Sequence, residues 1–439
     1  MRNLNRMAAA FVIVAMASGL AACGPGSSNS NDGAQNEAVS TDLGDEQIEL
    51  KLWDGAGLKA KDDALIEAFE AKYPNITITA TYDPDNVSAQ NGPRVISASE
   101  TPDIARITDV GSAARGGHVI SLEEYAEAYG WDIPESQTST YSMNDDQELG
   151  EGDRYAIPDG FTMTGIFWNK ELAGELGITE APKTIEELEE DMAIAKEAGV
   201  LPMMADAKDA GVIHLLDGLL INENGVDAIR AFTLQRDGAT IDTDGTATAA
   251  QYIADWAAAG YFPDGVNAID SSTALSRFTK GEGLFFPAGN WYTSSISEAM
   301  GDTAGFIAVP PLEEGEGSGG ALDGATPWGI PTNAEHKNAA AAFINFLMSD
   351  EARQIMIENG YAPVGEGEAT SDDPVMQSVL ETYSEFIAGG NTATHIYNST
   401  AGIQANALIP AVQELIDGSL QPSDFGSTIQ AKYEDELGE

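Results

Sequence analysis

The stretch Ile48-Glu-Leu-Lys-Leu-Trp53 alternates apolar and polar residues, a pattern typical of a β-strand with one buried face. Asp54 and Gly55 end this strand, and a helical segment then runs to the stop signal Tyr73-Pro74. The apolar residues at helical spacing in that segment are Leu58, Leu65, Ile66 and Phe69. Alternation resumes over residues 76–80. The order strand, helix, strand predicts a βαβ unit and therefore a parallel sheet.

The rest of the chain repeats both patterns. Alternation returns over residues 104–122 and 155–168. Helical spacing is found over residues 184–198, 246–259, 339–348 and 407–416. Thr184, followed three residues later by Glu187, predicts a capping box at the start of the first of these helices. Strands interspersed with helices predict an α/β protein, and a length of 439 residues favours two domains.

The N-terminus has the features of an export signal. Arg2 and Arg6 precede an apolar stretch, residues 7–20, that is too short to span a bilayer comfortably. The sequence Leu20-Ala-Ala-Cys23 then resembles a bacterial lipobox, in which the cysteine takes a diacylglycerol and becomes the new N-terminus. Because two acyl chains suffice for stable anchoring, we predict a signal peptide at residues 1–22 and lipidation of Cys23. The alternative is an ordinary secretory signal followed by a chance cysteine.

Residues 23–47 are predicted to form the lipidated cysteine and a flexible tether. The segment is rich in Gly, Ser, Asn and Asp and nearly free of large apolar residues. A flexible segment of this length spans roughly 27 Å on average. The globular part of the protein is therefore expected to stand just outside the membrane.

The composition excludes some functions. The chain carries 71 acidic and 21 basic residues, a formal net charge of -50, and such a surface repels nucleic acid. The four histidines and the one cysteine lack zinc-type spacing, and neither a nucleophile elbow nor a phosphate-binding loop is found. We therefore expect neither an enzyme nor a bound metal or cofactor.

Several segments, taken in order, resemble the family 1 extracellular solute-binding proteins, which are maltose-binding-protein-like components of ABC sugar transporters. They are Trp53-Asp-Gly55, Phe69-Glu-Ala-Lys-Tyr-Pro74, Thr101-Pro-Asp-Ile104, Gly152-Asp-Arg-Tyr-Ala-Ile-Pro158, Phe167-Trp-Asn-Lys-Glu-Leu172, Phe278-Thr-Lys-Gly-Glu-Gly283, Gly289-Asn-Trp291, Trp328-Gly-Ile-Pro331, Ala342-Phe-Ile-Asn-Phe-Leu347 and Gly360-Tyr-Ala-Pro363. Each match alone is weak. Their order along the whole chain after the tether makes the resemblance specific.

The resemblance implies a two-lobe, periplasmic-binding-protein-like fold of type II. Each lobe would be a mainly parallel sheet flanked by helices, and the ligand cleft would lie at the hinge. Lobe one would comprise residues 48–157 and 308–365, and lobe two would comprise residues 158–307 and 366–439. The resemblance also implies a monomeric lipoprotein on the extracytoplasmic face of the cell membrane. It would capture a mono- or oligosaccharide and deliver it to the permease subunits of an ABC importer.

Sugar rings have apolar C–H faces that pack on aromatic rings, so the tryptophans are the first candidate ligand contacts. Trp291 follows an apolar strand, and the family places a ligand-stacking aromatic residue at the matching position. Trp328 stands similarly between Pro327 and Gly329. Trp53 and Asp54 together would supply a stacking ring and a hydrogen-bonding carboxylate.

Sugar hydroxyls require fixed donors and acceptors, which adds polar candidates. Asp109 follows the strand expected at residues 104–107, and Asp159 and Phe161 lie at the expected crossing between lobes. Tyr361 precedes Pro363 in the last matching segment. The family places polar ligand contacts near these regions.

Two alternatives to a neutral sugar binder remain open at this point. The same fold could carry another solute such as a polyamine, which the acidic composition suggests. An exported glycoside hydrolase is the alternative of another class, and it requires two carboxylates at a fixed separation and measurable turnover.

Overall fold

The computed structural model describes residues 38–365, 367, 369–400 and 402–438, and it leaves the side chains of residues 85–90 undescribed. The predicted signal peptide, Cys23 and most of the predicted tether lie outside the described residues. Within the described part of the chain, none of the helices combines the length and apolar character needed to cross a membrane.

The opening βαβ unit is confirmed. Strand β1 (Ile48–Gly55), helix α1 (Lys59–Lys72) and strand β2 (Ile76–Asp83) follow in the predicted order. The two strands pair in parallel from Ile48 opposite Ile76 to Gly55 opposite Asp83. The helix ends where expected, because Tyr73 leaves the helical conformation and its N–H closes the last turn on the Phe69 carbonyl.

The remaining elements alternate strands and helices along the described chain. The other strands are β3 (Ile104–Arg106), β4 (Ser142–Met143), β5 (Asp153–Arg154), β6 (Ile157–Pro158), β7 (Gly160–Asn169), β8 (Phe285–Gly289), β9 (Ala304–Ile307), β10 (Gly320–Gly324), β11 (Pro327–Gly329), β12 (Ala362–Pro363) and β13 (Thr392–Ala393). The other helices are α2 (Asp85–Ile96), α3 (Val110–Arg115), α4 (Glu123–Tyr129), α5 (Glu135–Thr138), α6 (Lys170–Glu175), α7 (Ile185–Glu197), α8 (Gly211–Asn224), α9 (Val226–Thr233), α10 (Asp244–Ala258), α11 (Ser271–Phe278), α12 (Thr293–Met300), α13 (Lys337–Phe346), α14 (Asp350–Glu358), α15 (Pro374–Gly389), α16 (Ile409–Asp417) and α17 (Pro422–Leu437).

The four helices predicted from periodicity correspond to α7, α10, α13 and α16. One of the two hydrogen bonds of the predicted capping box is present at the start of α7. The Thr184 hydroxyl accepts a hydrogen bond from the Glu187 N–H at 3.2 Å, but the Glu187 carboxylate accepts from the Lys183 N–H at 2.7 Å instead of the Thr184 N–H. Strand alternation was overestimated over residues 104–122, where β3 has three residues and α3 follows.

Two main sheets organise the described chain. The first has the order β2-β1-β3-β11-β6, and the second has the order β12-β7-β10-β13 with β8 and β9 also paired to β7. The expectation of a mainly parallel sheet in each lobe is wrong for the second sheet. Its central strand β7 pairs antiparallel with β8, β9, β10 and β12, and the β10–β13 pair is parallel. Strand β7 enters the second sheet directly from the first and runs antiparallel to its neighbours. The sequence of β7 alone does not reveal this direction.

Two of the points at which the chain passes between the main sheets are adjacent. Asp159 separates β6 of the first sheet from β7 of the second, and Ala325-Thr326 separates β10 from β11. The crossings are hydrogen-bonded to each other, since the Asp159 N–H donates to the Thr326 carbonyl at 3.1 Å and the Ala325 N–H to the Gly160 carbonyl at 2.8 Å. Strand β10 therefore belongs to the second sheet, whereas the sequence placed residues 308–324 in lobe one.

Candidate functional site

A cavity of about 420 Å³ opens where strand β3 ends. Among the described residues it is lined by the last part of α2, by the segment from Arg106 to Asp109 and by the start of α3, with His118 at its edge. In open α/β sheets, ligands bind outside the carboxyl ends of the strands. Asp109, a residue predicted to contact ligand, lies in this cavity.

The Asp109 carboxylate is already hydrogen-bonded within the protein. It caps α3 by accepting from the Ser112 N–H at 2.9 Å and from the Ser112 hydroxyl at 2.7 Å. An exposed carboxylate retains further lone pairs for a ligand. The cap also fixes the side chain, because the carboxylate bridges two donors of the same residue.

The predicted pair of Trp53 and Asp54 is not formed, because successive strand residues point to opposite faces of a sheet. Trp53 is 4% exposed and packs in a small core with Ile96, Ile107 and Val110. Its ring lies beneath Gly92 on the cavity wall, where an added Cβ would stand 3.6 Å from the Trp53 ring. Trp53 therefore supports the cavity from behind.

Asp54 belongs instead to a buried acid–lysine cluster, which consists of Lys61, Asp54, Asp62, Asp159 and Thr326. The Lys61 ammonium donates to Asp159, to Asp62 at 2.8 Å and to the Thr326 hydroxyl at 3.0 Å. The Thr326 hydroxyl in turn donates to Asp54 at 3.2 Å. Since Asp159 and Thr326 are the crossing residues, the cluster connects α1 and β1 directly to the hinge.

Burial and mutual repulsion control the charges of this cluster. Burial lowers the pKa of Lys61, but the charges of Asp159, Asp62 and Asp54 outweigh it and raise the pKa well above its ordinary value. Burial raises the pKa of Asp62 to about 8, against the opposing effect of Lys61 and reinforced by Asp54 and Asp159. Burial also raises the pKa of Asp54. At neutral pH the cluster therefore holds Asp62 largely protonated beside a charged lysine.

Trp328 lies in the same region but offers no open face. Its side chain is 0% exposed, its ring packs edge-on against Phe343 at 5.9 Å, and its indole N–H donates to Asp159 at 3.1 Å. The other Asp159 oxygen accepts from the Thr326 N–H at 3.0 Å. Trp328 and Asp159 thus hold the crossings together in this conformation.

Trp291 is only partly buried and stands immediately after β8. Its ring folds back over Gly289, where an added Cβ would lie 1.8 Å from the ring. Gly289 has φ near -103°, an ordinary extended conformation. The glycine is therefore required for the space it leaves to the ring and not for backbone freedom.

The sequence did not single out the residues behind Trp291. His214 meets the indole edge-on at 5.0 Å, and His395 lies at 6.3 Å while stacking on Tyr397 at 4.6 Å. Asp217 accepts hydrogen bonds from the His395 Nδ1–H at 3.1 Å and from the Ile396 N–H at 3.1 Å. Scattered histidines carried no motif, because α8 and the segment after β13 meet only in the folded chain.

Burial and the neighbouring His395 lower the pKa of His214 well below its usual value. Burial also lowers the pKa of His395, but Asp217 and Asp323 outweigh it and raise the pKa. The wall behind Trp291 therefore combines a neutral histidine with one that is held between two carboxylates.

Asn290 links Trp291 to the other candidates. Its amide donates to the carbonyls of Phe161 at 3.1 Å and Gly360 at 2.9 Å, and its oxygen accepts from the Met163 N–H at 2.9 Å. Tyr361, next to Gly360, is half-buried, and burial raises the pKa of its hydroxyl, with Lys61 opposing and Asp159 reinforcing the shift. Tyr361 thus lies near the acid–lysine cluster, and its neighbour Gly360 is hydrogen-bonded to the residue that precedes Trp291.

Phe161 is placed away from the larger cavity. It is 2% exposed and stacks on Tyr383 at 5.6 Å. The space beside it, lined by parts of both lobes, is about 40 Å³. One water needs at least roughly 10–15 Å³ of such space, so this cavity is too small for a sugar ring.

In the described residues, no group of His, Cys, Asp or Glu side chains has the arrangement of a metal site. The candidate residues thus fall into three groups. Asp54, Asp159 and Trp328 lie at the hinge with Tyr361 near them, Trp291 lies beside the histidines, and Asp109 lies in the cavity at the end of β3.

Comparison with known proteins identifies similar chains. The family model for the bacterial extracellular solute-binding proteins matches residues 55–354, which is more than half of the chain. An uncharacterized ABC transporter extracellular-binding protein of Pyrococcus horikoshii is 23% identical over 351 residues, covering 76% of this chain and 75% of the relative.

Solved structures share the fold. A chitin oligosaccharide binding protein is similar with a TM-score of 0.70 and 18% identity, covering 90% of this chain and 100% of that one. A probable secreted solute-binding lipoprotein from Streptomyces coelicolor has a TM-score of 0.72 and 16% identity, covering 88% and 98% of the two chains. These similarities confirm the predicted two-lobe α/β fold class.

Proposed function

The chain belongs to the bacterial extracellular solute-binding protein family, and on that premise we propose that it captures a mono- or oligosaccharide between its lobes for an ABC importer. The proposed ligand contacts are Trp291, Tyr361 and Asp109, with Asp54 and Asp159 acting through the hinge. Lobe one would comprise residues 48–157 and about 327–361, and lobe two residues 160–324 and 362–439, with β12 kept beside β7.

The observation that carries this proposal is the setting of Trp291. A buried strand ends in a glycine over which a partly exposed indole lies, and two histidines support the indole from behind. An aromatic ring held by neighbouring rings and still partly exposed suits the C–H face of a sugar. The similarity to a chitin oligosaccharide binding protein supports the same ligand class.

The second support is the cavity at the end of β3, whose mainly apolar wall carries a few charged side chains. Arg94, Arg106 and Asp109 line it, so it provides both donors and acceptors for hydroxyl groups. Small-molecule sites combine an apolar surface with a few fixed polar groups, as Trp291 and this cavity together would do.

Delivery to membrane permease subunits follows from the family and from the similarity to an ABC transporter binding protein. Anchoring through lipidated Cys23 follows from the lipobox resemblance and from the similarity to a probable solute-binding lipoprotein. A lipid anchor would keep the loaded protein near the permease.

A thermal-shift screen of the purified protein against sugars, amino acids and polyamines tests this function. A ligand that binds only the folded state stabilises it by about 2.7 kcal/mol at 100 times its Kd. We expect stabilisation by a carbohydrate, and stabilisation by a polyamine alone would contradict the proposal. Two arginines in the cavity disfavour a polycation, because like charges repel.

Incubation of the protein with the stabilising oligosaccharide, followed by product analysis, separates binding from hydrolysis. We expect the oligosaccharide to be recovered intact. Cleavage at a rate that scales with protein concentration would instead assign the chain to the exported glycoside hydrolases.

A further inference from the structure

Two arginines on the cavity wall have hydrogen-bond donors that no described residue uses. Arg94 is exposed on α2, and neither a hydrogen bond nor an ion pair joins it to any described side chain. The Nε–H of Arg106 is buried and has no hydrogen-bond partner within the described part of the chain. Arg106 forms an ion pair with Asp54 at 3.7 Å, but its Nε–H stays unused. In a chain of 71 acidic and 21 basic residues, these unused N–H groups on one cavity require an explanation.

The nearby carboxylates do not satisfy these donors. Asp54 lies 3.7 Å from an Arg106 terminal nitrogen, which is beyond hydrogen-bonding distance. The Asp54 oxygens instead accept from the Gly55 N–H at 2.6 Å and from the Thr326 hydroxyl at 3.2 Å. Asp109, which lines the same cavity, is held by Ser112.

A buried donor without a partner costs free energy, and guanidinium groups pair best with planar oxyanions. A neutral sugar hydroxyl would satisfy a single N–H, whereas a carboxylate presents two acceptor oxygens to the N–H fork of an arginine. The cavity of about 420 Å³ admits a group larger than a lone ion.

Resting on the proposed carbohydrate function, we infer that the ligand is an acidic carbohydrate whose carboxylate is bound by Arg106 and Arg94 in the cavity at the end of β3. Arg106 would hold the carboxylate by hydrogen bonds from its partly buried guanidinium. Arg94, from the exposed helix face, would add charge and close the open side of the cavity.

Titration calorimetry on matched pairs of acidic and neutral sugars tests the inference. The probes are cellobiouronic acid against cellobiose, digalacturonate against galactobiose, and sialyllactose against lactose. We expect at least one acidic probe to bind 10-fold or more tightly than its neutral counterpart. Because charge-assisted hydrogen bonds are involved, Arg106→Gln should weaken that binding roughly 10- to 100-fold and Arg94→Gln about 10-fold.

Lys432→Gln is the matched control, since it removes one positive charge from an exposed position on α17. It should leave the preference for the acidic probe unchanged. Arg94→Gln keeps the test valid if the half-buried Arg106 variant does not fold, because Arg94 is exposed and no described side chain is hydrogen-bonded or ion-paired to it.

The outcomes separate the two proposals. Neutral probes that bind as tightly as their acidic counterparts, or an acid preference that survives both arginine substitutions, would overturn the inference and leave the carbohydrate function standing. Failure of every sugar in the thermal-shift screen and of all six probes to bind would overturn both.

Discussion

Gly289→Ala tests the Trp291 platform without removing the tryptophan. An added Cβ would lie 1.8, 2.1 and 2.3 Å from three ring carbons of Trp291, whereas ordinary contacts begin at 3.4 Å. The ring must therefore move by about 1.6 Å or adopt another rotamer. The backbone at residue 289 has φ near -103°, which alanine adopts without strain.

The expected loss of carbohydrate affinity follows from the area of the Trp291 ring in contact with a sugar. Burial of a large apolar side chain stabilises a complex by roughly 1.5–3 kcal/mol. At about 1.4 kcal/mol per factor of ten, displacement of the ring should weaken carbohydrate binding by about 10- to 100-fold. Trp291→Ala should produce a loss of the same size, because both changes remove the same contact.

Calorimetry with the best sugar from the thermal-shift screen measures all four proteins of a double-mutant cycle. The double variant Gly289→Ala/Trp291→Ala should bind like Trp291→Ala alone, because without the ring the new methyl group has nothing to displace. Gly174→Ala is the control, since a Cβ there meets nothing within 4 Å, and its affinity should be unchanged. If the fold-losses in carbohydrate affinity of the two single variants multiply in the double variant, Gly289→Ala acts elsewhere than on the Trp291 ring. That result would refute the role of Trp291 as a stacking platform.

Three further predictions follow from the anchor, the partner and the hinge. Cys23→Ser should block lipid labelling and release the protein from the membrane fraction while ligand affinity is unchanged; persistent labelling would contradict the assignment. Deletion of the gene should abolish uptake of the cognate sugar at low concentration, and normal uptake without a substitute binder would count against an import role. Burial raises the pKa of Asp62 to about 8, above the roughly 3.9 of an unfolded aspartate, so this group's stabilisation is lost as pH rises from about 4 to above 8. Urea unfolding at pH 5 and pH 8.5 should therefore show less pH dependence for Asp62→Asn than for the parent, and equal dependence would contradict the raised pKa.

The local parts of the fold could be predicted because they depend on neighbouring residues. Alternation over residues 48–53 and helical spacing up to Phe69 fixed the opening βαβ unit, and Tyr73-Pro74 marked the end of its helix. Each signal lies within about 15 residues, where periodicity is informative. The family resemblance supplied the two-lobe fold, which periodicity alone does not reveal.

Strand direction and lobe membership depend on partners far along the chain. Residues 322–324 pair with residues 161–163 of β7, about 160 residues earlier, and this pairing places β10 in the second sheet. A short strand such as Gly320–Gly324 has no local feature that distinguishes one sheet from the other. The same limit explains why Lys61 was not predicted to lie among three aspartates, two of which come from other elements.

The sequence alone does not distinguish a ligand-binding tryptophan from a structural one, as Trp291 and Trp328 illustrate. Both stand within two residues of a glycine, so the sequence ranks them by family resemblance alone. In the folded chain the indole N–H of Trp328 meets the crossing residue Asp159, and its ring is enclosed by Phe343. Trp291 emerges near a strand end where Gly289 leaves room for its ring to lie back, and the residue remains partly exposed. Trp328 is therefore structural, because Asp159 at the hinge accepts a hydrogen bond from its indole. Trp291 remains available to a ligand, because Gly289 has no Cβ that would displace its ring.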